Sequence, residues 1–245
     1  MKSWIQFISA CFLLTSLAQG EALTKERAHS EFVSSNRQIN QTWAQLMKKY
    51  ADYGPDWLDK MKIEQRRWLR YRDALAASPL NIGTKVPPEK VKDSQAYLVA
   101  ATNLTRDRSK WLLALINDPI SKDTLTGRWF DSYGGCLEIV QEGPSLMFTI
   151  NVERGPSAHI GSIGGIASWN SPLGWFSDKG KDKDKNNETN LAFIQRDGIL
   201  EVREANSDHY HGARAYFEGQ YVRVAKLTPK EIEKVKSAVN YSKKP

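Results

Sequence analysis

At Asn117-Asp118-Pro119 the spacing of apolar residues changes, and this change limits the possible folds more than any other feature. Before it, apolar residues recur every three, four or seven positions, which is the period of one face of an α-helix. After it come short runs rich in β-branched and aromatic residues, separated by Gly, Pro and Asn, which is typical of strands. The sequence therefore predicts an α+β protein with a helical domain over 21–118 and an antiparallel β domain over 119–225.

Three helices are predicted in the first domain. The first lies within 24–53 and carries its apolar stripe at Phe32, Ile39, Trp43, Leu46 and Tyr50. Gly54-Pro55-Asp56 ends it, and the second helix covers 57–77. The third extends from about residue 89 to residue 116. Short connections between three such helices favour an antiparallel bundle.

Seven strands are predicted in the second domain, at 127–133, 135–142, 145–153, 158–168, 190–195, 199–204 and 215–224. Leu146, Phe148, Ile150 and Val152 alternate with a second set of side chains, so this strand buries one face. Arg196-Asp197-Gly198 is a hairpin turn between two strands. The strands are expected to close as a small antiparallel barrel or sandwich.

A short basic helix is predicted in the last segment, 226–245. Thr228-Pro229-Lys230-Glu231 is a capping box with proline at the first helical position. Ile232, Val235 and Val239 would form the apolar side of this helix.

The first twenty residues are typical of an export signal. Lys2 precedes an apolar stretch over 5–17, and Ala18-Gln19-Gly20 offers small residues for cleavage before Glu21. The sequence thus predicts a periplasmic or secreted protein. The alternative is a lipid anchor through Cys11, because residues 8–11 resemble a lipobox.

Cleavage before Glu21 leaves Cys136 as the single cysteine of the mature chain, which rules out an internal disulfide. Its neighbours Leu137, Ile139 and Val140 favour a buried thiol. Pairing with another chain is the alternative.

Charge follows the domain boundaries. Residues 21–120 contain 17 basic and 12 acidic side chains, a net +5, whereas 121–225 contain 11 and 14, a net −3. The segment from Lys226 adds a net +4, so the mature chain carries +6. Basic helices with interleaved aromatic residues can bind nucleic acid, but no nucleic-acid motif accompanies them, so no such partner is expected.

Three motifs in the helical domain carry a resemblance to a known family. They are NRQINQTW at 36–43, QRRWLRYRD at 65–73 and LTRDR at 104–108. Over residues 30–116 the chain resembles the N-terminal domain of the LprI-type lysozyme inhibitors, a family of exported bacterial proteins. Members usually carry cysteines that tie the helices together. Here Ala76 stands at the expected position, which implies a disulfide-free variant.

The β domain also resembles a module often appended in exported relatives, on the segment 154–161. In such modules Cys136 would usually pair with a later cysteine. The stretch 209–212 contains none, which again implies a disulfide-free variant.

The middle helical motif is expected to be structural. Gln65, Trp68 and Arg72 share one helix face and point into the bundle, where Arg72 needs a carboxylate or several carbonyls. Tyr71 and Asp73 belong to the same motif, with Asp73 pairing with Arg70 or with another helix. A polar link between helices is favoured over a ligand site.

Neither a catalytic site nor a cofactor is predicted. His209 and His211 are the weak candidates for a metal site, since their i, i+2 spacing suits one strand face. Two ligands make a poor site, and the same residues suit a solvated loop, so no metal is expected.

Trp169, Trp175 and Phe176 are the predicted binding residues. They lie in a stretch that contains Pro and Gly. Core packing under a loop and an exposed recognition patch both remain open, and tryptophan is enriched among binding hot spots.

The leading hypothesis is an exported envelope protein that binds another macromolecule without catalysis and inhibits a lysozyme or another cell-wall hydrolase. Lysozymes are usually cationic, so the net charge of +6 opposes long-range attraction, and only the acidic β domain favours it. The alternatives are a structural or adaptor module on anionic envelope surfaces and a periplasmic immunity protein.

Overall fold

The computed structural model describes residues 24–83, 86–117, 124–155, 158–179 and 187–241, which form two compact units. One unit comprises the described residues up to Leu112 together with Gly155–Ala158, and the other contains Leu113–Arg154 and the residues from His159 onward. The predicted signal peptide over 1–20, with Cys11, lies outside the described residues. Among the described residues, no helix has the length and apolar character needed to cross a bilayer.

The first unit is helical, as its 3.6-residue periodicity predicts. Its α-helices are α1 (Lys25–Lys49), α2 (Pro55–Ala76), the short α3 (Pro79–Ile82) and α4 (Gln95–Ile116), with 3-10 segments at Ala51–Tyr53 and Pro88–Asp93. The last turn of α4, from Leu113, is counted with the second unit. Thr24 caps α1, because its hydroxyl accepts a hydrogen bond from the Arg27 N–H. Gly54, immediately before α2, has a positive φ of 89°, which glycine adopts readily.

The third predicted helix begins later than expected. Residues 88–93 form the 3-10 segment, and α4 starts only after Ser94. The backbone of Ser94 is extended, and its hydroxyl accepts the Tyr97 N–H at 3.2 Å. Ser94 therefore caps α4 and divides one predicted helix into two elements.

Successive long helices run antiparallel. Tyr50 and Trp57 lie 4.7 Å apart between ring centroids at the α1–α2 turn, and Arg72, near the other end of α2, bonds Asn36 of α1. Gln65 and Arg72 of α2 contact Arg108 and Thr105 of α4 in reverse order. The core of this unit includes Ala28, Leu75, Ala76, Tyr97, Leu98, Ala101 and Leu104.

The second unit contains an antiparallel barrel that closes completely. Its strands are β1 (Gly127–Phe130), β2 (Cys136–Glu142), β3 (Ser145–Arg154), β4 (His159–Asn170), β5 (Leu173–Ser177), β6 (Asn190–Arg196), β7 (Ile199–Ala205) and β8 (Gly219–Ala225). Each strand pairs with its sequence neighbours, and β1 pairs with β8. Of the two predicted forms, barrel and sandwich, the strands therefore form the barrel.

One strand was not predicted. β5 follows β4 after the two-residue turn Ser171-Pro172, with Asn170 paired to Leu173. The sequence placed this stretch outside its seven strands because Pro and Gly lie within it and because its outward side chains are apolar. The alternation of buried and exposed residues along β5 therefore does not appear in the sequence as an alternation of apolar and polar residues.

Each of the eight strands contributes apolar side chains to the interior of the barrel. Phe148 contacts the rings of Phe176 and Phe193 edge-on at centroid distances of 5.1 and 5.0 Å. Gly165 makes room for this cluster, since a Cβ there would lie 2.2 Å from the Phe176 ring. Cys136 is buried in this unit, as its neighbours predict, and forms no disulfide within the described part of the chain.

The predicted C-terminal helix is present as α5 (Pro229–Tyr241) and packs on the outside of the barrel. Val235 and Val239 lie against Val140 and Met147 of β2 and β3. The capping box forms as predicted: Glu231 accepts bonds from the backbone and hydroxyl of Thr228 at 2.7 and 2.8 Å.

Glu231 also ties α5 to the barrel through charge. Arg128 of β1 donates to Glu231 at 2.7 Å and to the buried Glu138 at 2.6 Å. Partial burial favours a raised pKa for the Glu231 carboxyl, but the bonds from Thr228 and Arg128 outweigh it and lower the pKa to about 2. Glu231 therefore stabilises the folded state only while it is ionised.

Replacing Glu231 by Gln is expected to lower the free energy of unfolding by about 1–2 kcal/mol at neutral pH, through loss of the ion pair and weakening of the cap. Because the folded-state pKa is depressed, this contribution is complete above the unfolded-state pKa of about 4.3 and fades as the pH falls toward 2. Urea denaturation of both proteins between pH 7 and pH 2.5 measures it. A difference that does not change with pH would contradict the assignment.

Candidate functional site

A buried network of arginine and tryptophan side chains joins the three long helices. Trp68 of α2 is 2 % exposed and contacts two guanidinium groups, with Arg72 at 5.6 Å and Arg108 at 5.5 Å from its ring. Arg72 donates to the Asp73 carboxylate at 2.7 Å and to the Asn36 amide oxygen at 2.9 Å. The charge of Arg72 is therefore compensated inside the bundle.

The guanidinium of Arg108, on α4, contacts side chains of α2 and of α4 itself. Nε of Arg108 donates to the Gln65 side-chain oxygen at 3.1 Å, and its cation lies 4.3 Å from the Trp111 ring. Glu64 is within 3.8 Å of Arg108. Gln65, Trp68 and Arg72 thus share one face of α2 and contact side chains of other helices.

Asp73 contacts residues of other helices, the second of its two predicted alternatives, and the Tyr97 hydroxyl of α4 is one of its partners. It pairs with its neighbour Arg72 and, at 3.4 Å, with Lys92 of the 3-10 segment, whereas Arg70 is exposed. Burial favours a raised pKa for Asp73, but the Arg72 bond and both cations lower the pKa overall. Tyr71 is half-buried against the helical core. These contacts are those of a structural link between helices.

The three predicted binding residues separate in the barrel. Trp169 and Phe176 are 9 % and 7 % exposed and belong to the interior cluster, whereas Trp175 is 55 % exposed. β5 produces this separation because successive side chains of a strand point to opposite faces. Of the three, Trp175 alone can contact a partner without rearrangement of the barrel.

An apolar patch surrounds Trp175 on the outer face of β4–β6. Trp175 lies between Ser168 and Ala192 in the strand register, and Leu173, also 55 % exposed, lies between Asn170 and Ile194. The small neighbours leave the indole accessible. We call the surface of Leu173, Trp175, Ala192 and Ile194 the β5 patch. Sequence reasoning missed Leu173, which only the assignment of β5 as a strand could have indicated.

The outer face of α2 is cationic. Lys60, Arg66, Arg67 and Arg70 are exposed there, and Ile63 and Leu69 are 41 % and 37 % exposed between them. This surface follows from the amphipathic pattern of α2, which turns Trp68 and Arg72 inward.

The two candidate metal ligands are not arranged on one strand face. His209 is exposed in the 3-10 segment Asp208–Tyr210. Both ring nitrogens of His211 are engaged, with Ser207 Oγ at 3.0 Å from Nε2 and the Gly212 carbonyl at 2.9 Å from Nδ1. The described residues contain no group of three or more His, Cys, Asp or Glu side chains suited to a metal ion.

Comparison with known protein families gives a match in the helical region. The sequence model of the family described as lysozyme inhibitor LprI matches residues 15–112, which agrees with the resemblance noted over 30–116. The match covers α1 to α3 and most of α4, and the barrel lies outside it. No curated protein and no solved structure matches the chain.

Proposed function

Because the N-terminal helical region matches the LprI lysozyme-inhibitor family, we propose that this protein is exported and binds a lysozyme or another cell-wall hydrolase without catalysis. The family match over 15–112 is the observation that carries the proposal. It applies to the helical region, where the motif side chains are occupied in holding the helices together. The contact surface must therefore be sought among exposed residues.

The β5 patch is the surface that best suits a protein partner. It combines an exposed tryptophan with Leu173, Ala192 and Ile194, and tryptophan at the centre of a patch is the side chain most often found at binding hot spots. Polar side chains border it, since Ser168 and Asn170 flank it on β4. An apolar centre with a polar rim is the usual anatomy of a protein interface.

Charge also favours the barrel over the helices for a cationic partner. Residues 121–225 carry a net −3, whereas 21–120 carry a net +5. A lysozyme of high isoelectric point would be repelled by the exposed arginines of α2 and attracted more weakly by the barrel. Association is therefore expected to be slow at low salt and to accelerate as salt screens the repulsion.

The test is inhibition of c-type and g-type lysozymes by protein that begins at Glu21, at low and moderate salt. A cell-wall suspension and a soluble oligosaccharide substrate are both needed, because a protein that coats the wall would slow only the first reaction. Inhibition of both reactions that persists at moderate salt is the expected result. No inhibition at micromolar protein would refute the proposal for those enzymes.

Replacing Trp175 by Ala is expected to weaken inhibition at least tenfold, about 1.4 kcal/mol of binding, because a hot-spot side chain is lost. The unfolding midpoint should stay within experimental error, since the indole is more than half exposed. Val33→Ala is the matched control, because Val33 is an exposed apolar residue of α1. Equal inhibition by both variants would exclude the β5 patch as the contact.

The cationic face of α2 supports a second candidate function, that of an adaptor on anionic envelope surfaces. Lys60, Arg66, Arg67 and Arg70 are exposed together, and apolar Ile63 and Leu69 lie among them. Sedimentation with anionic vesicles tests this function. Binding that falls steeply with salt and is lost in Arg66→Glu/Arg67→Glu would support it, whereas equal recovery with neutral vesicles would reject it.

A further inference from the structure

A shallow groove of about 140 Å³ lies on the barrel, formed by β7, β8 and the segment before β8. Its side chains of interest are Glu201, Arg203, Tyr216, Glu218 and Gln220. None of them belongs to the region that matches the family or to the β5 patch. The strand register builds the groove, since Glu201 of β7 is the direct cross-strand partner of Gln220 of β8.

The polar groups of the groove include both donors and acceptors. Glu201 and Glu218 offer carboxylates, which only accept hydrogen bonds when ionised, whereas Arg203 offers donors and Gln220 offers both. Arg203 pairs with Glu201 at 2.5 Å and approaches Glu218 at 3.8 Å, so one guanidinium is shared by two carboxylates and the groove keeps a net charge of −1. An anionic ligand would meet two carboxylates, and a cationic ligand would compete with Arg203 for those carboxylates.

An aromatic ring lines the same groove in a fixed position. Tyr216 is 41 % exposed, and the Arg154 guanidinium lies 4.8 Å from its ring centroid. Arg154 is itself buried and forms an ion pair with Asp131. The ring is therefore supported from below by a rigid group and presents accessible surface to a ligand.

These features together select one class of ligand. The vicinal hydroxyls of a sugar both donate and accept, so carboxylate, guanidinium and amide groups side by side can satisfy them. The C–H face of a pyranose carries slight positive charge and stacks on the negative face of an aromatic ring. The groove is smaller than the ~300–1000 Å³ of a drug-sized pocket, so it suits one sugar ring of a chain that continues over the surface.

We propose that this groove binds a neutral oligosaccharide, with one pyranose ring stacked on Tyr216 and its hydroxyls bonded by Glu218, Gln220 and the Arg203–Glu201 pair. The site is separate from hydrolase binding and does not depend on it. A glycan site on the barrel would hold the protein on polysaccharide while the rest of its surface stays available.

The experiment is calorimetric titration of the chain from Glu21 with the tetramers of β-1,4-linked N-acetylglucosamine and of β-1,4-linked glucose. A dissociation constant of about 1 mM or tighter for at least one of them is expected. Tyr216→Ala should weaken binding at least tenfold, and Tyr216→Phe should keep most of it because the ring remains. Gln220→Met should weaken binding by removing a donor and an acceptor while keeping the side-chain length.

Tyr53→Ala is the control, since it removes an exposed aromatic outside the groove and outside the β5 patch and should bind the sugar as the unaltered protein does. Thermal unfolding of each variant verifies that the barrel is intact. Absence of binding to both tetramers would overturn the proposal. A Tyr216→Ala variant that bound the sugar as tightly as the unaltered protein would also overturn it. Weaker binding by Tyr216→Ala could come from loss of stacking or from collapse of the groove. Tyr216→Phe distinguishes the two explanations, because it keeps the ring and its contact with Arg154.

Discussion

Replacing Asp131 by Ala is expected to lower the free energy of unfolding of the barrel by about 3–5 kcal/mol. Asp131 is 5 % exposed and pairs with Arg154, whose side chain is 2 % exposed. The same carboxylate accepts the backbone N–H groups of Tyr133 and Gly135 at 2.9 and 2.8 Å. The substitution would remove the carboxylate from a buried cation and two acceptor contacts from a tight turn.

Tight packing around the pair adds to this expectation. A Cβ on Gly135 would lie 2.6 Å from Asp131 Oδ2 and 2.7 Å from Arg154 Nη2, so the turn has little freedom to rearrange. Guanidinium denaturation followed by tryptophan fluorescence measures the loss, since Trp129 and Trp169 lie in the barrel core.

Two variants serve as controls for Asp131. Asp131→Asn keeps the shape and an acceptor oxygen and should lose less stability than Asp131→Ala. Glu218→Ala removes a half-exposed carboxylate of the same unit and should change stability by no more than about 0.5 kcal/mol. If Asp131→Ala were as stable as Glu218→Ala, the ion pair would contribute nothing to the fold.

The second large effect is expected in the helical unit, where Trp68→Ala should cost about 3–5 kcal/mol. The indole is 2 % exposed, and the guanidinium groups of Arg72 and Arg108 both lie against its ring. Its removal leaves a cavity and takes the aromatic ring away from two buried cations. Urea denaturation followed by far-ultraviolet circular dichroism measures the helical transition.

Leu69→Ala is the matched control, because it shortens the next side chain of α2 on the 37 % exposed outer face and should cost less than about 1 kcal/mol. Trp68→Phe restores part of the aromatic contact and should fall between the two. Equal stability of Trp68→Ala and Leu69→Ala would show that the network does not hold the helices together.

Local patterns were sufficient for most secondary-structure elements. Three helical stripes, a capping box at Thr228 and a hairpin at Asp197-Gly198 each depend on residues close in sequence, and α1, α2, α5 and the β6–β7 hairpin appear where they were expected. Where the pattern was ambiguous, prediction failed. β5 carries apolar Leu173 and Trp175 on its outer face, so alternation could not reveal it.

The candidate sites were less predictable than the elements. The sequence grouped Trp169, Trp175 and Phe176 as one binding stretch, but a two-residue turn puts Trp169 on β4 and the other two on β5. Because successive side chains of β5 point to opposite faces of the barrel wall, Trp175 is exposed, whereas Trp169 and Phe176 are buried in the core. The groove beside Tyr216 was not predicted at all, because its side chains come from two strands and a preceding segment.

Local sequence patterns were enough to predict the α+β order of the chain, the boundaries of most elements, the inward face of α2 and the charge contrast between the helical and β regions. These properties depend on periodicity and composition, which act over a few residues. Tertiary structure alone decided that β1 pairs with β8 to close a barrel, that Arg72 bonds Asn36 and that Asp131 pairs with Arg154. Each of those contacts joins residues 23 or more positions apart, whose meeting depends on chain closure and packing that no local pattern encodes.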